Sequence, residues 1–452
     1  MARASNIERL NAAKAMVRAR SNELRRFPSP DKDGERLYPL ASPTANPSFT
    51  IEESDTIYAI GSCFARNVEK ALEDAGKRVL SREFQLGEVG ESLGDASNFF
   101  NKYSIHSVTN EIRWALERET FPGEDIIYPM GQGRYCDPQL GMARLDFEMD
   151  QILEFRHRYL DAVADVAHAD VIILTLGYVE TWYDRKLDLY LNVIPPAPVI
   201  KREPDRFEFR VLSYQDVLDG LNNLYALLQK HRTKPLKMLI TVSPVPLLAT
   251  FRDMDVLVAN AYSKSVQRAA LDEFLLDKEG VDYFPSYEFV TLSNPTIAWS
   301  RNDYRHVSPD IVKRILSNVI TRYIGGDAVE NGLSAESEMT PSGLVSSIKL
   351  LHKLEKFDDV MGLVEQHRDL ADETAEVLML EATAARRLDD LDYSFKTLAK
   401  AAKVAPKRPD ALERMIMLCR PMRQKDAARQ LVERHEQAFP NRTDFRDKLT
   451  WL

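Results

Sequence analysis

The stretch Tyr58-Ala-Ile-Gly-Ser-Cys-Phe-Ala-Arg66 decides the fold of this chain. The run Thr56-Ile-Tyr-Ala-Ile60 is rich in β-branched and aromatic residues and reads as a strand. It stops at Gly61, and an amphipathic helix pattern over Phe64 to Ala75 starts almost at once. Ser62 and Cys63 stand side by side between them, so a hydroxyl and a thiol share the tip of a strand-to-helix turn.

Outward from this turn, residues 51 to about 326 alternate strand-like and helical patterns. The predicted strands are Thr56–Ile60, Arg78–Ser81, Val171–Leu176, Lys237–Val242 and Val281–Phe284. The predicted helices are Phe64–Ala75, Thr109–Glu117, Gln151–Ala167, Tyr214–His231 and Ala259–Lys278. Such alternation argues for βαβ units, an α/β fold whose parallel sheet is covered on both faces. Ligand crevices of these sheets lie at the carboxyl ends of the strands. Gly61-Ser62-Cys63, Gly177 and Ser243-Pro244 all fall at such ends.

The flanking regions differ. Residues 5 to 26 are basic and helix-prone, with Ile7, Leu10, Val17 and Leu24 at near-heptad spacing. They are expected to form a helix packed on the main body, a membrane or partner arm being the other reading. Prolines and polar residues from Phe27 to Phe49 mark an extended linker, which completes an N-terminal region over residues 1–50. In residues 340–452, Leu363-Val-Glu-Gln-His367 returns as Leu431-Val-Glu-Arg-His435, 68 residues later and twice the 34-residue period of a tetratricopeptide repeat. Ala405-Pro-Lys-Arg-Pro-Asp410 is echoed one such period on by Phe439-Pro-Asn-Arg-Thr-Asp444. About three helix pairs are expected there, TPR-like in period although most of that repeat's aromatic and glycine consensus is missing.

At 452 residues the chain is too long for one ordinary core. Its 44% hydrophobic and 29% charged residues and net charge of −9 suit a soluble globular protein. The acidic balance gives no support for nucleic acid or a membrane surface as main partner. The N-terminus lacks the apolar segment of a secretory signal, and no apolar run is long enough for a membrane span. Cys63, Cys136 and Cys419 lie far apart without a CxxC pair and read as reduced thiols of a cytoplasmic protein. There is no GxxxxGK[ST], no GxGxxG after a strand and no HExxH, and the eight histidines do not cluster. Neither a cofactor nor a metal is expected.

Nucleophilic catalysis remains, and it needs a nucleophile, a base and an orienting group. His306, in Arg301-Asn-Asp-Tyr-Arg-His306, has Asp303 three residues before it, close enough in chain to fold back on one ring nitrogen and fix the tautomer. Ser308 can cap a helix begun by Pro309, which would leave His306 on the loop before that helix. A second Asp-x-x-His, Asp165-Val-Ala-His168, lies inside a helical pattern and needs no chemistry. The spacing gains weight only from its company.

That company resembles the GSCFA family, named for the letters Gly61-Ser-Cys-Phe-Ala65. Further blocks are Asn101-Lys-Tyr-Ser-Ile105, Thr175-Leu-Gly-Tyr-Val-Glu-Thr-Trp182, Thr241-Val-Ser-Pro-Val-Pro246, Ala259-Asn-Ala-Tyr-Ser-Lys264, Tyr283-Phe-Pro-Ser-Tyr-Glu288 and Asp303-x-x-His306. The resemblance covers roughly residues 40 to 326 and says nothing of the C-terminal helices. The family is similar to the SGNH (GDSL) esterases, which implies a flavodoxin-like three-layer sheet. In those enzymes a Gly-Asp-Ser turn carries the nucleophile on its third residue. Laid onto Gly61-Ser62-Cys63, this makes Cys63 the nucleophile, with His306 as base and Asp303 as orienter.

A thiol at the first turn of the following helix faces unpaired N–H groups and the positive dipole end, so its pKa is expected to be lowered. Serine there would depend wholly on His306. Ser62 as nucleophile, and Cys63 as a small buried apolar residue, stay open. For the oxyanion, Gly177 matches the glycine of the SGNH Gly-x-Asn-Asp block, but Val179 stands at the asparagine position, so Asn101 is the substitute donor. Glu180 and Trp182 are expected to line the acceptor pocket, unless Glu180 forms a structural pair with an arginine. Two functions follow. One is an esterase or O-acyltransferase acting on a carbohydrate or other small ester; the other is a scaffold with decayed chemistry whose TPR-like helices dock a protein partner.

Overall fold

Ile57–Gly61 (β1) and Val171–Leu176 (β2) are buried at every position, and Lys237–Val242 (β3) at all but its first. Continuous apolar runs of this kind fit strands covered on both faces. With Val281–Tyr283 (β4) they make a parallel four-stranded sheet in the order β1-β2-β3-β4, in which Ile57 pairs with Val171 and Val171 with Lys237. Alternate side chains enter two cores. Tyr58, Ile60, Ile172, Leu174, Met238 and Ile240 enter one, while Ile57, Ala59, Val171, Ile173 and Leu239 enter the other. Helices Ile105–Leu116, Met149–Ala164, Tyr214–His231 and Val256–Phe274 contribute to the first core. Helices Phe64–Asp74, Ser286–Thr291 and Pro309–Tyr323 contribute to the second.

The computed structural model describes residues 7–87, 99–141, 144–300, 303–323, 341–353, 355–440 and 442–452. The chain divides into two compact units, Met1–Val329 and Glu330–Leu452. The expected α/β architecture with a parallel central sheet is present in the first.

Two expectations are corrected there, and two sheets are added. Arg78–Ser81 is not a strand: Val79 alone bridges to Ile57, and Leu80–Arg82 turns into a 3-10 helix. The Ser81 hydroxyl donates to the buried Glu69 carboxylate at 2.5 Å and accepts the Ala59 N–H at 3.2 Å, so a side chain replaces the next ladder bond. The N-terminal helix is only Ala12–Ser21 and buries no residue, with Val17 68% exposed. One apolar residue per heptad makes too narrow a stripe to pack on a core. Finally, two antiparallel sheets went unpredicted. One joins Tyr128–Gly131, Arg134–Cys136 and Arg144–Leu145; the other orders Leu189–Leu191, Glu180–Asp184 and Phe207–Val211. Four of the six strands have four residues or fewer, too few to show a period of two. Phe207-Glu-Phe-Arg-Val211 does alternate, a strand signal missed from the sequence.

The second unit holds helices Pro341–Lys353, Phe357–Gln366, Arg368–Glu373, Ala375–Arg387, Leu391–Val404, Asp410–Cys419 and Lys425–Ala438, and no strand among the described residues. Leu344, Val360 and Val377 fill one cluster, and Leu378, Leu398 and Met415 another. The 34-residue echo is structural: Ala405 and Phe439 both end a helix, and each is followed by an arginine–aspartate pair, Arg408–Asp410 at 2.8 Å and Arg442–Asp444 at 3.2 Å. The 68-residue echo is not equivalent, since His367 caps a helix end and His435 lies buried within one.

Candidate active site

Gly61 ends β1 with φ at +131°, and a Cβ there would stand 2.1 Å from the Thr175 carbonyl oxygen. Only glycine permits this approach. The Ser62 N–H donates to that carbonyl at 2.9 Å, and the Lys102 N–H donates to the Gly61 carbonyl at 2.6 Å. Asn101 thereby bridges to Gly61 at the tip of the strand, and its carbonyl accepts from Asn192 Nδ2 at 2.8 Å.

The two candidate nucleophiles part company at once. Ser62 is 1% exposed. Its hydroxyl lies 3.0 Å from Thr175 Oγ1 and accepts the Phe64 N–H at 3.4 Å, capping the helix that follows. Cys63 is half-buried at the N-cap position, and its side chain makes no capping bond. Burial pushes its thiol above the ordinary value, while Arg305 first, then Lys264, its own backbone N–H and Arg66 pull it back. The expected lowering is thus corrected. The residue packs against the apolar cluster around Phe64, and desolvation outweighs the helix end.

Around Cys63 stand Tyr103 and Tyr178, stacked with ring centroids 5.5 Å apart, and both raised first by burial and then by the Cys63 charge. The Tyr178 N–H donates to the Tyr103 carbonyl at 2.7 Å. Gly177 permits this, because a Cβ there would lie 2.7 Å from the same oxygen. The Tyr178 hydroxyl donates to the Pro246 carbonyl at 3.4 Å, and the Arg305 charge acts on it. The Val256–Phe274 helix fastens the neighbouring turns: Asn260 Oδ1 accepts the Leu247 N–H at 3.1 Å, and Ser263 Oγ accepts the Val179 N–H at 3.1 Å. From the same helix Lys264 donates to the Gly177 and Val245 carbonyls.

His306 and Asp303 do meet. His306 Nδ1 lies 2.5 Å from Asp303 Oδ2, and Asp303 Oδ1 accepts the N–H groups of Arg305 and His306, each at 2.8 Å. The two backbone N–H groups and then the imidazole hold the Asp303 carboxyl at about 2. His306 is largely exposed and follows Arg305, whose charge acts on Cys63. Ser308 Oγ accepts the Asp310 N–H at 3.3 Å, at the start of the helix Pro309 begins. Arg301 and Asn302 of the predicted motif lie outside the described residues. The other Asp-x-x-His is set apart: His168 follows a 3-10 helix and precedes β2, so it stands at the amino end of the sheet, opposite to Cys63.

Glu180 accepts from the Thr250 hydroxyl at 2.7 Å and the Phe251 N–H at 3.3 Å, and no arginine pairs with it among the described residues. Trp182 packs on Phe209 and Phe251, with centroids 5.6 and 5.2 Å away. Tyr103, Tyr178, Lys264 and Arg305 were not assigned roles from sequence, although each lies inside one of the quoted blocks. Position in a block was the available signal; which side chains turn toward Cys63 was not.

A parallel α/β sheet with a cysteine-bearing turn at the carboxyl end of its first strand is the class that fold and site define. The chain belongs to the GSCFA family, whose model matches residues 56–318, more than half of the sequence. That span holds the whole central sheet and every site residue named above. No curated protein matches the chain.

Proposed function

We propose that this protein is an acyl-transfer enzyme, an esterase or O-acyltransferase, that carries the acyl group on Cys63. One observation carries the reading: at the tip of β1 the Ser62 hydroxyl is committed inside the fold, whereas Cys63 keeps a partly exposed thiol beside two tyrosines and a guanidinium. The reading takes the chain to be related to the SGNH esterases. The parallel order of the four strands, with the single Val79 bridge on the free side of Ile57, is what supports that relationship.

In this reading the Cys63 thiolate attacks the ester carbonyl, a C–S bond forms and the C–O bond breaks. His306, held by Asp303, takes the Cys63 proton as base and passes it to the leaving oxygen. It then takes a proton from the incoming water or hydroxyl, which attacks the thioester, breaks the C–S bond and lets the proton return to the Cys63 sulfur. The Cys63 N–H and the Asn101 amide, beside Gly177, are the oxyanion donors. Trp182 with Phe209 and Phe251 offers an aromatic wall for a carbohydrate face, and Glu180 fixes the loop that carries Phe251. The helices of the second unit, TPR-like in period, serve to dock a protein partner. The test is intact mass after incubation with a panel of acetyl and longer acyl esters. A mass increase mapped to the Cys63 peptide supports the proposal, and none across the panel refutes it.

A second reading, a binding protein with decayed chemistry, is favoured by the packing of Cys63 on the apolar cluster and the upward push on its thiol. The same mass experiment separates the two.

A further inference from the structure

The segment from Asn101 to Tyr103 joins two parts of the site. The Lys102 N–H donates to the Gly61 carbonyl at 2.6 Å, two residues before Cys63, and the Tyr103 carbonyl accepts the Tyr178 N–H at 2.7 Å. Its bond to the sheet is a single parallel bridge, Asn101 to Gly61. In such a bridge the Asn101 carbonyl and the Tyr103 N–H point away from Gly61. Backbone groups at this depth are costly to leave unpaired. One side chain meets both. Asn192 Nδ2 donates to the Asn101 carbonyl at 2.8 Å, and Asn192 Oδ1 accepts the Tyr103 N–H at 2.8 Å. The side-chain amide thus stands where the peptide group of a further strand would stand. Its second lone pair and second N–H are used as well, by the Ser107 hydroxyl at 3.2 Å and the Gln139 carbonyl at 3.4 Å. Asn192 is 8% exposed and is itself anchored. The Val193 N–H donates to the Pro138 carbonyl at 3.2 Å, and Gln139 Nε2 and Asn110 Nδ2 hold the Tyr190 carbonyl at 2.8 and 3.0 Å.

We infer that Asn192 is a positioning residue of the candidate site, holding Asn101 and Tyr103 in register with the turn that carries Cys63. The inference rests on the proposed reading of that turn as the acylated site. Asn192 acts through Asn101, the oxyanion donor of that reading, which the amide and Gly61 grip from opposite sides. The position is chemically exacting. Two of its neighbours are carbonyl oxygens and two are donors. An aspartate of the same shape would set an oxygen against the Asn101 and Gln139 carbonyls, and an alanine would leave all four groups without this partner.

The experiment compares the whole chain with Asn192→Ala, Asn192→Asp, Asn101→Ala and the double alanine variant; Asn192→Ser, able to keep one of the two main bonds, runs in parallel as the milder change. The first arm is amide hydrogen exchange read by peptide mass spectrometry. In Asn192→Ala, exchange over residues 99–105 and over the turn at 61–63 should rise at least about tenfold, with β2 and β3 unmoved. No rise, or a rise spread evenly over the sheet, overturns the inference. The second arm is the rate of Cys63 acylation by p-nitrophenyl acetate, followed by intact mass. Asn101→Ala and Asn192→Ala should each slow acylation at saturating ester at least about tenfold, with the half-saturating concentration moved by less than about threefold. Asn192→Asp should be at least as slow as Asn192→Ala. The double variant should be no slower than the slower single variant, because both changes remove the same donor. An unmoved Asn101→Ala, or losses that multiply in the double variant, would place the action of Asn192 elsewhere and overturn the inference. A wild type that never acylates while exchange responds locally removes the functional reading alone; unmoved exchange in a chain that acylates removes the inference alone.

Discussion

The Ser62 hydroxyl lies 3.0 Å from Thr175 Oγ1, across the β1–β2 pair and 113 residues away in sequence. That contact commits the serine to the sheet, while the neighbouring Cys63 stays partly exposed.

Ser62→Ala should therefore lose a buried hydroxyl bond and a helix cap, at about 1–2 kcal/mol, while the acyl-enzyme still forms. Cys63→Ala should leave stability nearly intact and abolish the acyl adduct; Cys63→Ser should give a slow enzyme that accumulates acyl-serine. Thermal melting and intact mass of the three variants decide this. An adduct in Cys63→Ala that is missing in Ser62→Ala makes Ser62 the nucleophile.

Cys63 should alkylate with iodoacetamide before Cys136 and Cys419, which are 1% and 0% exposed. Burial pushes the Cys136 thiol up to about 12. Because the Cys63 thiol is itself raised, its labelling should still be climbing between pH 7 and 8.5, by about tenfold per pH unit below its pKa. Peptide mass spectrometry over that range checks the order and the slope, and a rate already flat at pH 7 would contradict the raised thiol.

His306→Ala should abolish turnover of p-nitrophenyl acetate, and His168→Ala should leave it almost unchanged. Asp303→Asn should cut turnover by about 100-fold or more, because an amide N–H₂ replaces the Oδ2 that holds the imidazole while the remaining oxygen still accepts the two backbone N–H groups. The sign of the pH dependence follows from Asp303 being depressed. Its stabilising contribution is present above the ordinary carboxylate range and is lost only as pH falls through about 2. Any loss of wild-type activity between pH 5 and 7 should thus come from groups other than Asp303, and the acid limb should survive in Asp303→Asn.

Gly61→Ala should cost on the order of 3 kcal/mol or more, since the new Cβ would meet a backbone carbonyl that cannot step aside. Gly76, at φ +78° with nothing within 4 Å of a Cβ, should cost only about 1 kcal/mol when made alanine. Chemical denaturation of both variants tests the contrast.

Several features were legible before any fold was known because their causes are local. The apolar runs of β1, β2 and β3 show double-sided burial directly, and helix periodicity separates the second unit from the first. Asp303 and His306 meet because three residues of loop suffice to bring them together. The Arg78–Ser81 run looked like a strand on the same local grounds, and lost that form to Ser81 reaching Glu69.

What the chain alone determined, then, is the four strands of the central sheet and the helices around them, and that a serine and a cysteine share the turn after β1. The tertiary structure decided which of them is committed, since Thr175 comes from the neighbouring strand. It also decided the direction of the Cys63 pKa. Helix position is written in the sequence, but desolvation depends on the side chains that gather around the sulfur, and in a low-dielectric interior it outweighs the helix end. Lys264 belongs to the same category. Its partners Gly177 and Val245 lie 87 and 19 residues away, and only the parallel order of β2 beside β3 brings their carbonyls to one nitrogen.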